Sequence, residues 1–179
     1  MQVETVDYRA ADAAETLERS LRDTGFAVLA NHPITPERID AVYDAWGRFF
    51  AGEDKFGFAV KPPAHDGYFA FRSENAKDSA VKDLKEFFHV YPGCQLPDEL
   101  DDLTRQIYAD LETLGRELLG WIEGQAPASV TDNLTMPLGD MMEGSDQSLL
   151  RILHYPPVEN AEPDAIRAAA HEDINLITL

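Results

Sequence analysis

Two stretches near the end of the chain decide its reading: Leu150-Arg151-Ile152-Leu153-His154-Tyr155-Pro156-Pro157 and His171-Glu172-Asp173-Ile174-Asn175-Leu176-Ile177-Thr178-Leu179. The first is mostly apolar and stops at a proline pair, the pattern of a strand. The second reads as a strand too, and residues i and i+2 of a strand share a face. His171 and Asp173 then stand side by side. An imidazole and a carboxylate at that spacing are two of the three ligands of a 2-His-1-carboxylate facial triad, which holds non-haem Fe(II) with open positions. An isolated His-x-Asp is more often an ordinary hydrogen-bonded pair, so the rest of the chain has to decide between the two.

Upstream, the spacing of Ala13, Leu17 and Leu21 predicts a helix over 10–24, stopped by Gly25. Phe26-Ala27-Val28-Leu29 reads as a short buried strand, broken by Asn31-His32-Pro33. Thr35-Pro36-Glu37 has the cap, the first-turn proline and the first-turn acid of a helix start. Ile39, Val42, Tyr43, Trp46, Phe49 and Phe50 form its apolar stripe. Gly67 to Phe71 and Glu86 to Tyr91 read as strands, with a polar loop over 73–83 between them. Leu100, Leu103, Ile107, Leu111, Leu114, Leu118 and Ile122 predict a long helix. A short Met-containing segment over 137–143 follows, closed by Gly144, and residues 160–164 read as a polar loop. Helices and a few strands come first and strands last, an α+β or mainly β order with no regular βαβ alternation.

Composition excludes several classes. Of 179 residues 44% are hydrophobic, enough for a packed core. Lys and Arg number 15 against 33 Asp and Glu, a formal charge of −18. Nucleic acid and anionic membrane surfaces both recruit Lys and Arg, so both are expected to be absent among the partners. There is no apolar run long enough for a transmembrane helix and no signal-peptide pattern at the N-terminus. The single cysteine, Cys94, permits no internal disulfide, and a cytoplasmic location is the expectation.

Four blocks occur in a telling order: Gly25-Phe26-Ala27-Val28-Leu29-Ala30-Asn31-His32-Pro33-Ile34, then Asp83-x-Lys85-Glu86-x-Phe88, then the Arg151 to Pro157 strand, then His171-x-Asp173 with Leu176-Ile177-Thr178-Leu179. In this order they resemble the isopenicillin N synthase-like family of Fe(II)/2-oxoglutarate-dependent oxygenases, over essentially the whole chain. Pro33 stands where that family usually has Gly, and Leu153 where many members have an Asn that touches the cosubstrate. The resemblance implies a double-stranded β-helix (a cupin-like jelly roll) preceded by a helical region. Residues 1–145 would be that helical and mixed region with the long buttressing helix, and 146–179 the first strands of the catalytic core. It implies His171 and Asp173 as iron ligands, Tyr155 as a residue that hydrogen-bonds 2-oxoglutarate, O2 as the oxidant and a small molecule as substrate. The family's second metal His and the Arg-x-Ser pair for 2-oxoglutarate lie downstream of the His-x-Asp. The chain stops in an apolar strand, so the core is expected to be incomplete here.

Other candidates read as structural. His154 falls on the face opposite Tyr155, as a half-buried strand histidine. His65 and His89 lie near a possible cavity without a spacing that demands it. Arg72 and Lys85 read as surface cations, Lys85 with Glu86 as a polar pair, and Met141-Met142 as core filler. Two rival readings remain open: a non-enzymatic cupin-like metal-binding module, and an interaction domain that uses the exposed edge of residues 174–179.

Overall fold

The computed structural model describes residues 2–74, 82–158, 166–168, 170, 173 and 175–179. Contacts divide the chain into two units. One is Met1–Ile39, Gln106–Ser145 and Ile177–Leu179; the other is Asp40–Arg105 and Asp146–Leu176.

The first unit opens with β1 (Thr5–Asp7), α1 (Ala13–Thr24) and β2 (Val28–Ala30). β1 and β2 pair in parallel, Val6 opposite Leu29. α1 buries Ala13, Leu17 and Ser20, the i, i+4, i+7 face of a helix. Ser20 is a polar residue placed where Leu21 was expected. It works there because its Oγ accepts from Glu4 N–H at 3.0 Å and donates to the Phe26 carbonyl at 2.6 Å. Gly25 ends the helix at φ +78°, its N–H on the Leu21 carbonyl. The expectation of a buried strand at 26–29 is corrected: Phe26 is 70% and Val28 54% exposed, because the two-stranded sheet fully buries only Val6. β1 itself, three residues long, carries too little periodicity to be read from sequence.

The second unit is built on a three-stranded antiparallel sheet, order β3 (Gly67–Phe69), β4 (Glu86–Val90), β5 (Leu150–His154). Tyr68 faces Phe88, and Phe88 faces Ile152. Against it lies the C-terminal half of α2 (Pro36–Ala51), whose Ala45, Trp46, Phe49 and Phe50 are buried. The Trp46 ring lies 5.1 Å from Phe88, and Phe49 5.8 Å from it. Thr35 accepts the Arg38 N–H through its side chain at 3.4 Å, as the cap pattern requires. Tyr43, assigned to the apolar stripe, is 74% exposed. A 3-10 turn, Asp54–Phe58, follows α2.

The long helix is α3 (Asp98–Gln125). Its Thr104, fully buried, accepts the Trp46 indole N–H at 3.1 Å. In the first unit its later turns bury Leu114, Leu118 and Leu119, and Trp121 packs 5.1 Å from Tyr8. A short α4 (Ala128–Thr131) and a 3-10 turn (Gly139–Met142) come next. Among the described residues, no helix is long and apolar enough to cross a membrane.

The closing strand is a second correction. Asp173 and residues 175–179 carry no strand, and Leu176 is 58% and Leu179 54% exposed. A strand forms only where its N–H and C=O groups join a ladder, and the ladders among the described residues, β1–β2, β3–β4 and β4–β5, do not include this stretch. His171, Glu172 and Ile174 lie outside the described residues, as do most of the 73–83 loop and the whole 160–164 loop.

Candidate functional site

Strand β4 is buried along its whole length, and its two faces do different work. One face carries Glu86 and Phe88 toward the α2 aromatics. The Glu86 carboxylate, 5% exposed, receives Lys55 Nζ at 3.1 Å, His154 Nδ1–H at 2.7 Å and the Tyr68 hydroxyl. Lys55 also donates to the Phe50 carbonyl at 2.6 Å, and the His154 ring stacks on Phe50 at 5.1 Å. Burial pushes the Glu86 carboxyl up, but Tyr68, His154 and Lys55 outweigh it and hold it below the usual carboxylate range. Tyr68 is pushed up by burial and by the carboxylate beside it. One acid thus ties the Asp54–Phe58 turn, β3, β4 and β5 together.

The other face carries Phe87 and His89, and from β5 Arg151 and Leu153. Phe69 stacks on Phe87 at 4.5 Å, and the Arg151 guanidinium sits over the Phe87 ring at 4.9 Å. His89 donates Nδ1–H to the His65 carbonyl at 3.0 Å and accepts Arg151 Nε–H at 2.8 Å. Burial holds the His89 imidazole below its ordinary pKa, in its neutral form. Lys85, just before β4, reaches Asp83 at 2.9 Å and Glu74 at 3.0 Å, and Glu74 reaches Arg151 at 3.5 Å. Burial pulls the Lys85 ammonium down, and the two carboxylates more than restore it.

These contacts correct two expectations. Lys85 and Glu86 do not pair, because neighbours in an extended chain point to opposite faces. Lys85 is no surface cation either, being 6% exposed. His154 is half-buried on the face opposite Arg151, as the alternation implies. The alternation of 87, 89 with 151, 153 was the available signal for His89 and Arg151, though only the register His89 opposite Arg151 joins them.

Of the expected site residues, Tyr155 lies one position past β5, half-buried, its carbonyl accepting from Arg167 at 3.2 Å. Asp173 is exposed and irregular, and His171 lies outside the described residues. Among the described residues no group of three His, Cys, Asp or Glu side chains gathers to hold a metal.

Residues 3–109 match the family model described as the non-haem dioxygenase in morphine synthesis N-terminal domain. The chain belongs to that family, the Fe(II)/2-oxoglutarate oxygenase family of the isopenicillin N synthase type. Among individual proteins, it is similar to the 2-oxoglutarate-dependent dioxygenase frbA of Dothideomycetidae sp. (strain 11243), with 23% identity over 218 residues covering 100% of this chain and 62% of frbA. A solved structure from Shewanella oneidensis, assigned as an oxygenase, is 47% identical with a TM-score of 0.86, covering 98% of this chain and 63% of that one. A Caulobacter crescentus protein assigned to the 2OG-Fe(II) oxygenase family is 32% identical with a TM-score of 0.69, covering 97% and 61%. The chain thus spans about three fifths of the length of each of these relatives.

Proposed function

We propose that the chain is part of a non-haem Fe(II), 2-oxoglutarate-dependent oxygenase that oxidises a C–H bond of a small molecule. The observation that carries this reading is the family match over residues 3–109. In this reading residues 1–145 form the helical and mixed region, and 146–179 open a double-stranded β-helix. His171 and Asp173 hold the iron with a second His from a later strand. Iron, when bound, supplies O2 activation coupled to the oxidative decarboxylation of 2-oxoglutarate. The Tyr155 hydroxyl, one position past β5, hydrogen-bonds the cosubstrate. The Phe69–Phe87 stack lies on the Arg151 face, with Phe87 fully buried.

Turnover of 2-oxoglutarate to succinate by the purified protein, with Fe(II) and O2, tests this. His171→Ala and Asp173→Ala are each expected to abolish turnover. Turnover that survives His171→Ala in a protein of verified intact mass would sink the assignment.

A further inference from the structure

His89 and Arg151 form a relay in which each atom's role is fixed. His89 is 8% exposed. A neutral imidazole has one donor and one acceptor nitrogen. With Nδ1–H on the His65 carbonyl, Nε2 is the acceptor, and it takes Arg151 Nε–H at 2.8 Å. A guanidinium has five N–H donors. Arg151 gives one to His89, and its Nη2 lies 3.5 Å from Glu74. Among the described residues, Nη1 meets no acceptor. The group is held from below by the Phe87 ring at 4.9 Å and on its edge by His89, while its side chain is 33% exposed.

We propose that His89 is a positioning residue for substrate recognition: while neutral, it fixes the Arg151 guanidinium as the anchor for one carboxylate of a small, apolar-bodied substrate. The word substrate rests on the oxygenase reading above; the carboxylate site does not. The guanidinium fork matches a carboxylate bidentately. Leu153, 42% exposed and next along the same face, supplies an apolar wall. One charge is expected on the ligand, not several. Lys85 is already satisfied by Asp83 and Glu74, which leaves Arg151 as the cation of this cluster with donors to spare. Glu74 is the resident counter-ion. It holds Lys85 at 3.0 Å and Arg151 only at 3.5 Å, so a ligand can take the Arg151 fork while Glu74 keeps Lys85.

The relay makes recognition depend on pH. Burial and the neighbouring charges of Arg151 and the His65 ring oppose protonation of His89, and Glu74 favours it. Once protonated, His89 turns an N–H toward the Arg151 N–H, and the guanidinium loses its fixed orientation.

Calorimetric titration of the purified protein with benzoate, and with benzamide as its neutral counterpart, tests the proposal without iron or 2-oxoglutarate. Benzoate is expected to bind and benzamide not. Arg151→Gln and His89→Phe should each weaken benzoate by about tenfold or more. His89→Gln retains a side-chain carbonyl as acceptor for Arg151. It should keep near wild-type affinity and lose the decline in affinity expected of the wild type as pH falls below 6.5. Absence of benzoate binding, unchanged binding in Arg151→Gln, or an unchanged pH profile in His89→Gln would each overturn it. A protein that binds benzoate but lacks His171-dependent turnover keeps this site and loses the oxygenase reading; the opposite pair of results does the reverse.

Discussion

Lys85 and Glu86 are adjacent in sequence and serve opposite faces of one strand. The Lys85 ammonium is held by Asp83 and Glu74, while the Glu86 carboxylate collects Lys55, His154 and Tyr68. Lys85 is balanced from the segment that precedes it and Glu86 by the Asp54–Phe58 turn, β3 and β5, so each charge fastens different segments of the second unit.

Removing the acid should be costly. Glu86→Ala leaves Lys55, 14% exposed, without its counter-charge. The expected loss is about 3 kcal/mol, the range seen when one partner of a buried pair is deleted. Glu86→Gln, which still accepts from Tyr68 and Lys55, should lose less. Urea denaturation of the two variants checks the order, and an Ala variant as stable as the wild type would contradict it.

Acid should destabilise the fold in two steps. His89 has a folded pKa below its ordinary 6.5, so the unfolded chain takes up that proton first and stability falls as pH drops below 6.5. Glu86 has a folded pKa below its ordinary 4.5, so its contribution is present above 4.5 and is lost as pH falls through the folded value. His89→Gln should flatten the upper limb of a plot of urea midpoint against pH, and Glu86→Gln the lower one. If neither limb changes, the stated causes are wrong.

The Trp46–Thr104 hydrogen bond is fully buried, with Thr104 0% and Trp46 2% exposed. Thr104→Val keeps the shape and orphans the indole N–H, at an expected cost of about 1–3 kcal/mol. Thr104→Ser keeps the acceptor and should fall closer to the wild type in the same measurement.

Gly67 cannot carry a side chain. Its φ is +108°, and a Cβ there would lie 2.6 Å from the Phe58 carbonyl oxygen. Gly67→Ala should cost about 1–3 kcal/mol through backbone strain, read as a lowered Tm. An unchanged Tm would mean that the Asp54–Phe58 turn moves away freely.

The elements with strong local signals were legible in the sequence: α1 with its Gly25 stop, α2 with its Thr35-Pro36 start, α3, and the strands at 86–90 and 150–154. So was the family, from blocks whose order matters more than any one of them. What stayed illegible depended on pairing across the chain. β1 is defined by its partner β2 and not by its own three residues. The separation of Lys85 from Glu86 follows from alternation, but the identity of their partners required the fold. From the sequence His89 had only a place near a possible cavity, and its partner emerged once the β4–β5 register set it opposite Arg151. In the other direction, the apolar 174–179 stretch had the composition of a strand, and composition does not supply a ladder.

The position of β4 between its neighbours also bears on the order of folding. Its ladder to β3 spans a modest loop, whereas its ladder to β5 joins Val90 to Leu150 across the whole of α3. Closing a longer loop costs more chain entropy, and non-local pairings slow folding. The β3–β4 hairpin and the helices can therefore form first, with the arrival of β5 as the late event. Since β5 brings Arg151 to His89 and His154 to Glu86, both faces of β4 acquire their full chemistry in that one final step.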